Sequence, residues 1–224
     1  MAREGGSVLA LSLMLQITLN AKTALLRERR LMEVAAELRE TGVELERLRT
    51  IDPLIGVLNP RAFFERLEAA VRRSLRYNHY LTVLMIDHDY FKDSNGRDGH
   101  ATGDRVLVET GCCIVQNFWG ADVVGRNDGE ELEMFLPETI PSNGQSVAEK
   151  LRAAIEGLLI EPDSGRARST APMRTTISIG VASLPDVSIT GEQDLIRRAD
   201  EALCEAKHEG RNRARVAALT APPR

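Results

Sequence analysis

The chain has 224 residues, with 29 Lys and Arg against 33 Asp and Glu, and a formal charge of −4. This mildly acidic balance, with no long basic run, excludes the electrostatics that hold a protein on a phosphate backbone, so no nucleic-acid partner is expected. Hydrophobic content of 43% with 28% charged residues excludes wholesale disorder, and the length suits one domain with an appendage.

Residues 8–19 (VLALSLMLQITL) are almost wholly apolar. At about a dozen residues the stretch falls short of the roughly 20 that a bilayer-spanning helix needs. Glu4 and the lack of a small-residue cleavage site argue against a secretory leader. Two readings fit better: the last helix of a sensor domain, or a helix that buries its apolar face in a partner. Over residues 25–48, Leu31, Leu38 and Leu45 recur every seven positions, and Val34 and Leu48 take the alternate seam. Arg and Glu fill the flanks, the pattern of a two-stranded coiled coil, while Thr41 and Gly42 weaken its middle. Residues 1–50 therefore read as a helical segment that either packs on its own domain or joins two copies in a homodimer.

The pattern changes after Asp52-Pro53, and residues 51–216 read as the globular domain. Pro60 suits the first turn of a helix over 60–77. The apolar run 81–86 predicts a strand covered on both faces and ending at Asp87. A helix over 103–118 would bury Val106, Leu107, Cys113 and Ile114. Strands over 122–126 and 131–136 flank Asn127-Asp128-Gly129, a hairpin signal because Asp and Gly accept positive φ. A helix over 146–159, a polar loop over 161–173, a strand over 175–182 and a helix over 192–209 follow. Residues 217–224 read as a flexible tail. The order β-α-β-β-α-β predicts an α+β fold, a ferredoxin-like or polymerase-palm split βαβ sheet with flanking helices. Three cysteines, Cys112 and Cys113 adjacent, make no disulfide framework and suit thiols kept reduced as small core residues. His79 and His208 have no partner pattern and are expected at the surface.

In such a fold Asp87 ends the first strand, and Glu130 and Glu131 lie just past the hairpin turn. Carboxylates converging on one edge raise each other's pKa and commonly hold a hard cation, for which Mg²⁺ with a phosphate partner is the natural occupant. Solvated turn acids are the alternative. Asn95 and Asp104, read alone, are turn and N-cap residues.

These residues, taken in order, resemble the GGDEF domain, the diguanylate cyclase family that condenses two GTP into cyclic di-GMP. The likeness covers residues 52–212. Asp52-Pro53-Leu54 through Gly56 and Asn59 is similar to the entry motif DPLTGLxNR. Asp87-His88-Asp89-Tyr90-Phe91-Lys92, Asn95, Gly99-His100 and Gly103-Asp104 match DxDxFKxxN…GHxxGD. Asp128-Gly129-Glu130-Glu131-Leu132 stands against the signature GG(D/E)EF. Ser178-Ile179-Gly180-Val181-Ala182, then Ala199-Asp200, Ala202-Leu203, Ala206-Lys207 and Gly210-Arg211-Asn212 complete the series. Six motifs at matching spacing are specific where any single one is weak.

The resemblance implies roles. Asp87, the backbone carbonyl of His88 and Glu130 would hold Mg²⁺ or Mn²⁺, with Glu131 near a second ion, in the two-metal manner of phosphoryl transfer. Glu130 matches the proposed base for the ribose 3′-hydroxyl, and Glu131 shares the catalytic site. Backbone N–H groups around Phe91 and Lys92, with Gly129, would approach the phosphates, and Lys207 and Arg211, four apart and hence on one helix face, would neutralise the outer ones. Asn95 and Asp104, with His100 close by, would read guanine, since adenine lacks its N1–H and N2–H donors. GTP is then the substrate, two domains must face one another, and an upstream sensor or partner protein supplies the signal. The expected location is the cytoplasm, with membrane association through an upstream segment as the variant.

Three departures bear on activity. Asp128 replaces the first signature glycine and adds a charge worth about 3 kcal/mol of repulsion at ~5 Å and an effective dielectric of ~20. Leu132 replaces the signature Phe, a packing change. The family's Arg-x-x-Asp feedback site reads Trp119-Gly120-Ala121-Asp122 here, so no feedback cyclic di-GMP site is expected. Lesser changes are Ile55 for Thr, Pro60 for Arg, Gly96 for Asp and Cys204 for Tyr. The expected activity is a modest diguanylate cyclase; the alternative is a degenerate GGDEF domain that binds GTP or a partner protein without catalysis.

Overall fold

The computed structural model describes residues 4–117, 120–161 and 172–220, in two units, Met1–Leu48 and Arg49–Arg224. Helix α1 (Glu4–Thr50) is continuous, so the apolar stretch and the heptad segment are one element rather than two. Thr41 and Gly42 do not interrupt it, and the Thr41 hydroxyl donates to the Glu37 carbonyl at 2.8 Å. Leu31, Leu38, Leu45 and Val34 are all exposed, and the side chain of Leu48 lies outside those described. Among the described residues no helix is long and apolar enough to cross a membrane.

The second unit carries α2 (Pro60–Tyr77), β1 (Leu81–His88), α3 (Phe91–Asp98), α4 (His100–Asn117), β2 (Val123–Asp128), β3 (Glu131–Pro137), α5 (Pro141–Glu156), β4 (Ile177–Leu184), α6 (Glu192–His208) and β5 (Ala214–Val216). The sheet runs β2-β3-β1-β4-β5, antiparallel except for the β4–β5 pair. The expected α+β fold with a split βαβ sheet and flanking helices is thus present. β1 lies at the centre and all eight of its residues are buried, as its unbroken apolar run implies. Its side chains alternate between two cores. Leu84 and Ile86 pack with Val106, Leu107 and Ile114 of α4 and Leu151 and Ile155 of α5. Leu81, Val83 and Met85 pack with Phe63, Leu67 and Val71 of α2 and Leu195, Ala199 and Leu203 of α6. α6 lies so close to β4 that a Cβ at Gly180 would stand 2.0 Å from the Ala199 carbonyl oxygen. α2 is capped by Asn59, whose side chain accepts from Ala62 N at 3.0 Å ahead of Pro60 in the first turn.

Several boundaries differ from expectation. α5 starts at Pro141, five residues before the position the apolar pattern suggests, because proline is pre-set for a first helical turn. α4 starts at His100, so Asp104 is its fifth residue and not its N-cap. A short helix, α3, occupies the motif after β1, and β4 is shifted to Ile177–Leu184. β2 extends to Asp128, which pairs with Glu131, leaving Gly129-Glu130 as a two-residue turn. Only Gly129 takes positive φ there (43°), so Asp128 is an extended strand residue. The tail is tied down through Thr220, with Ala217 N bonded to the Val181 carbonyl and Thr220 N to Asp186 Oδ2, each at 2.8 Å; residues 221–224 lie outside the description. His79 has a partner after all, Glu138 Oε1 at 2.7 Å. Cys113 is buried, whereas Cys112 and Cys204 are exposed and are not core residues. Most of the polar loop, residues 162–171, and Trp119 lie outside the description.

Candidate functional site

The end of β1 brings Asp87 between Glu131 of β3 and Ser178 of β4. The β2–β3 turn is fixed from behind by Arg126, whose Nε and Nη2 donate to the Gly129 carbonyl at 3.0 and 2.8 Å. The same guanidinium reaches Asp52 Oδ2 at 3.2 Å, and Asp52 Oδ1 accepts from Leu54 N and Ile55 N. The entry motif and the signature turn are therefore one construction, joined by an arginine that motif reading passed over. Leu132, in place of the signature Phe, is fully buried in the core with Ile86 and Met134.

A cleft of about 300 Å³ opens beside this edge. Asp87, His88, Glu130 and Glu131 line it from the strand ends, Phe91 and Lys92 from the start of α3, and Lys207 and Arg211 from the far side. Those eight expected residues are brought together. Four others are not among its lining: Asn95 on α3, His100 and Asp104 on α4, and Gly129 in the turn. Asn95 packs over Gly103, where a Cβ would meet Asn95 Oδ1 at 2.0 Å, and that oxygen is buried without a hydrogen-bond partner. His100 and Asp104 are exposed nearby in sequence.

The cleft is an acid cluster facing fixed cations. Burial raises the Asp87 pKa, which the Lys207 ammonium opposes from 3.0 Å and which Glu130 and Asp89 push further up. Burial also raises Glu131, with Asp87 adding to it; Lys207 and a hydrogen bond from Asn127 Nδ2 at 3.2 Å oppose it. Acids that hold each other's protons on are poised for a cation. His88 differs: its ring is buried, which lowers its pKa to about 4, and Nδ1 meets Thr175 Oγ1 at 3.1 Å. The neutral ring packs beside Phe91, so only the backbone of His88 is available to a ligand.

Lys207 ends on α6, but Arg211 does not share its helix face. α6 stops at His208, and Gly210 (φ 113°) and Arg211 (φ 63°) turn the chain back. Both cations nonetheless reach the cleft, and the Arg211 guanidinium stands 4.5 Å over the Tyr90 ring. The first turn of α3 leaves the N–H groups of Phe91, Lys92 and Asp93 without intrahelical acceptors, the usual setting for an anion.

The donor set is all oxygen and hard. Among the described residues no three His, Cys, Asp or Glu side chains gather tightly enough to form a closed metal cage. A cation would then rest on two carboxylates, a backbone carbonyl and its ligand's phosphate oxygens, which is the coordination style of Mg²⁺ and not of a structural Zn²⁺ site. The residues fit such an ion.

The family described as diguanylate cyclase, GGDEF domain, matches residues 49–213. The response regulator PleD of Caulobacter vibrioides is 33% identical over 165 residues, which cover 74% of this chain and 35% of PleD. The chain thus spans about a third of the length of that relative. The coiled coil and GGDEF domain of DgcB from Caulobacter crescentus, solved with c-di-GMP, superposes with a TM-score of 0.75 at 27% identity, covering 85% of this chain and 98% of that one. The diguanylate cyclase SiaD of Pseudomonas aeruginosa, solved with its activator SiaC, superposes with a TM-score of 0.70 at 29% identity over 96% of this chain and 81% of that one. With the signature turn, the acid cluster and the cation wall all within the matched span, the chain belongs to the GGDEF diguanylate cyclase family.

Proposed function

We propose that this chain is a diguanylate cyclase that condenses two GTP into cyclic di-GMP and pyrophosphate. The observation that carries the reading is the single cleft in which Asp87, Glu130 and Glu131 face Lys207, Arg211 and the start of α3. A triphosphate lies there with its oxygens on the N–H groups of the first α3 turn, and Lys207 and Arg211 neutralise its outer charge. Asp87, the His88 carbonyl and Glu130 would hold Mg²⁺ or Mn²⁺, and Glu131 would serve a second ion. Bound there, such an ion would supply Lewis-acid activation of the attacking hydroxyl and charge neutralisation for the leaving pyrophosphate. The Glu130 carboxylate takes the proton of the ribose 3′-hydroxyl. Asn95, with its buried and unpartnered oxygen, reads guanine with Asp104 and His100.

One cleft presents one GTP, so the reaction needs a second copy of the domain. The exposed heptad leucines of α1 supply a dimerising helix, and the DgcB structure pairs a coiled coil with the same domain. An upstream input or partner protein adjusting that helix suits a family in which SiaD has an activator.

The test is direct: purified full-length chain with Mg²⁺ and GTP should yield cyclic di-GMP. Asp87→Asn and Glu130→Gln should each cut turnover by roughly 100-fold or more while thermal unfolding still shows a folded domain. Unchanged turnover in either variant defeats the metal assignment. The second reading, a domain that binds GTP without turnover, draws on Asp128, and Mg²⁺-dependent GTP binding without product would select it.

A further inference from the structure

Arg211 and Asn212 are consecutive non-glycine residues in the left-handed region, with φ of 63° and 46°. That conformation is strained for Arg211 and tolerated by Asn212 chiefly where its polar groups are bonded, so the pair persists where its surroundings fix it. Here they do. The Asn212 backbone N–H donates to Asp89 Oδ2 at 3.0 Å. Asp89 is itself buried and held by the Thr176 and Ser178 hydroxyls, both at 2.7 Å. The Asn212 side chain then reaches away from the cleft to α5: Oδ1 accepts from Arg152 Nη1 and Nδ2 donates to Glu156 Oε1, both at 2.8 Å. Arg152 is braced in turn by Glu149 and Glu156 at 2.8 and 2.7 Å. On the other side of the turn, the Arg211 N–H donates to the Ala206 carbonyl at 3.0 Å, and its guanidinium lies on the Tyr90 ring.

We propose that Asn212 is a positioning residue for triphosphate binding: anchored by Arg152 and Glu156 of α5, it locks the left-handed turn that aims Arg211 into the cleft. Asn212 itself does not line the cleft, and neither do its α5 partners, so it acts through Arg211. Tyr90 completes the arrangement as a platform that limits the guanidinium to one plane. A guanidinium held in advance loses less rotamer entropy when it grips a phosphate, so the lock should appear as nucleotide affinity. The inference rests on the reading that the cleft binds GTP.

The experiment is a double-mutant cycle on the full-length chain, titrating a non-reacting α,β-methylene GTP analogue with Mg²⁺ by calorimetry. Arg211→Ala should weaken binding roughly 10-fold and Asn212→Ala roughly 5-fold, while the double variant should match Arg211→Ala within about twofold, since a residue that acts through another adds nothing once that other is gone. Asn212→Asp keeps the acceptor for Arg152 and should fall between wild type and Asn212→Ala. Should Asn212→Ala fail to fold, Asn212→Gly, which tolerates the same φ without the α5 bonds, takes its place in the cycle. Wild-type affinity in the Asn212 variant beside a weakened Arg211→Ala, or additive losses in the double variant, overturns the positioning role alone. Unchanged affinity in Arg211→Ala overturns the phosphate reading on which it rests.

Discussion

Replacing Glu133 by methionine should stabilise the domain at pH 8 and do little at pH 5. Glu133 lies on β3, two residues beyond Glu131, on the face where Phe135 and Met85 join the α2–α6 core. It is only 1% exposed, and neither carboxylate oxygen has a hydrogen-bond partner. Burial first, and the nearby Glu131 second, push its pKa up to about 7 from 4.5. At 1.36 kcal/mol per unit, ionising it in the folded state costs about 3 kcal/mol. The folded chain holds the proton more tightly than the unfolded one, so this cost is absent below about pH 4.5. It grows as pH rises toward 7 and is complete above that. His88 has the opposite slope: with its pKa lowered to about 4 from 6.5, it contributes stability above pH 6.5 that is lost as pH falls toward 4. The wild-type profile sums these two with the other shifted groups, Asp87 and Glu131 among them, whereas the difference between Glu133→Met and wild type isolates what Glu133 contributes. Methionine conserves volume, so packing strain stays small. Urea unfolding at both pH values is the assay, with an expected gain at pH 8 about 2–3 kcal/mol larger than at pH 5. A gain that is the same at both pH values, or no gain at pH 8, would refute the claim that an ionised Glu133 is buried without compensation.

Three other outcomes follow from the structure. Removing residues 1–48 should lower the mass seen by light scattering and reduce specific activity at low protein concentration; a full-length chain that is monomeric at tens of micromolar defeats the dimerising role of α1. Cyclic di-GMP titrated by calorimetry should find no tight site around Asp122, because a chain with Trp119 in place of the feedback arginine lacks the bidentate donor; micromolar binding abolished by Asp122→Ala would contradict this. Asp128→Gly should leave folding almost unchanged and tighten GTP binding several-fold, more at low salt than at high. Asp128 is exposed at the end of β2, so solvent limits the gain, and an unaltered affinity at low salt would clear Asp128 of any part in weak activity.

Most of the element order, though not α3 or β5, and eight residues that line one cleft were written in local patterns. The unbroken apolar run ending in Asp87 pointed to a buried strand with its acid at the rim, and the two strand-like runs around Gly129 pointed to a hairpin; the structure has both. Spaced motifs then named eight residues that do share one cleft. Boundaries were less legible, since α5 begins where Pro141 permits and not where its apolar period becomes visible. β5, three residues long, has no period to read and exists because the edge of β4 offers it a partner. The site's working contacts were beyond local reading altogether. Lys207 meets Asp87 across 120 positions, Asn212 meets Asp89 and α5 through a left-handed turn, and Arg126 ties the entry motif to the signature turn. Glu133 sits in an apolar run that marks a strand, but which face it occupies, and that no donor waits there, depends on the register of β3 against β1. Sequence sets which segments are helix or strand and which residues carry charge. The pairing of strands and the seating of α5 and α6 on them decide which of those charges meet, because those distances are fixed by packing between segments far apart in the chain.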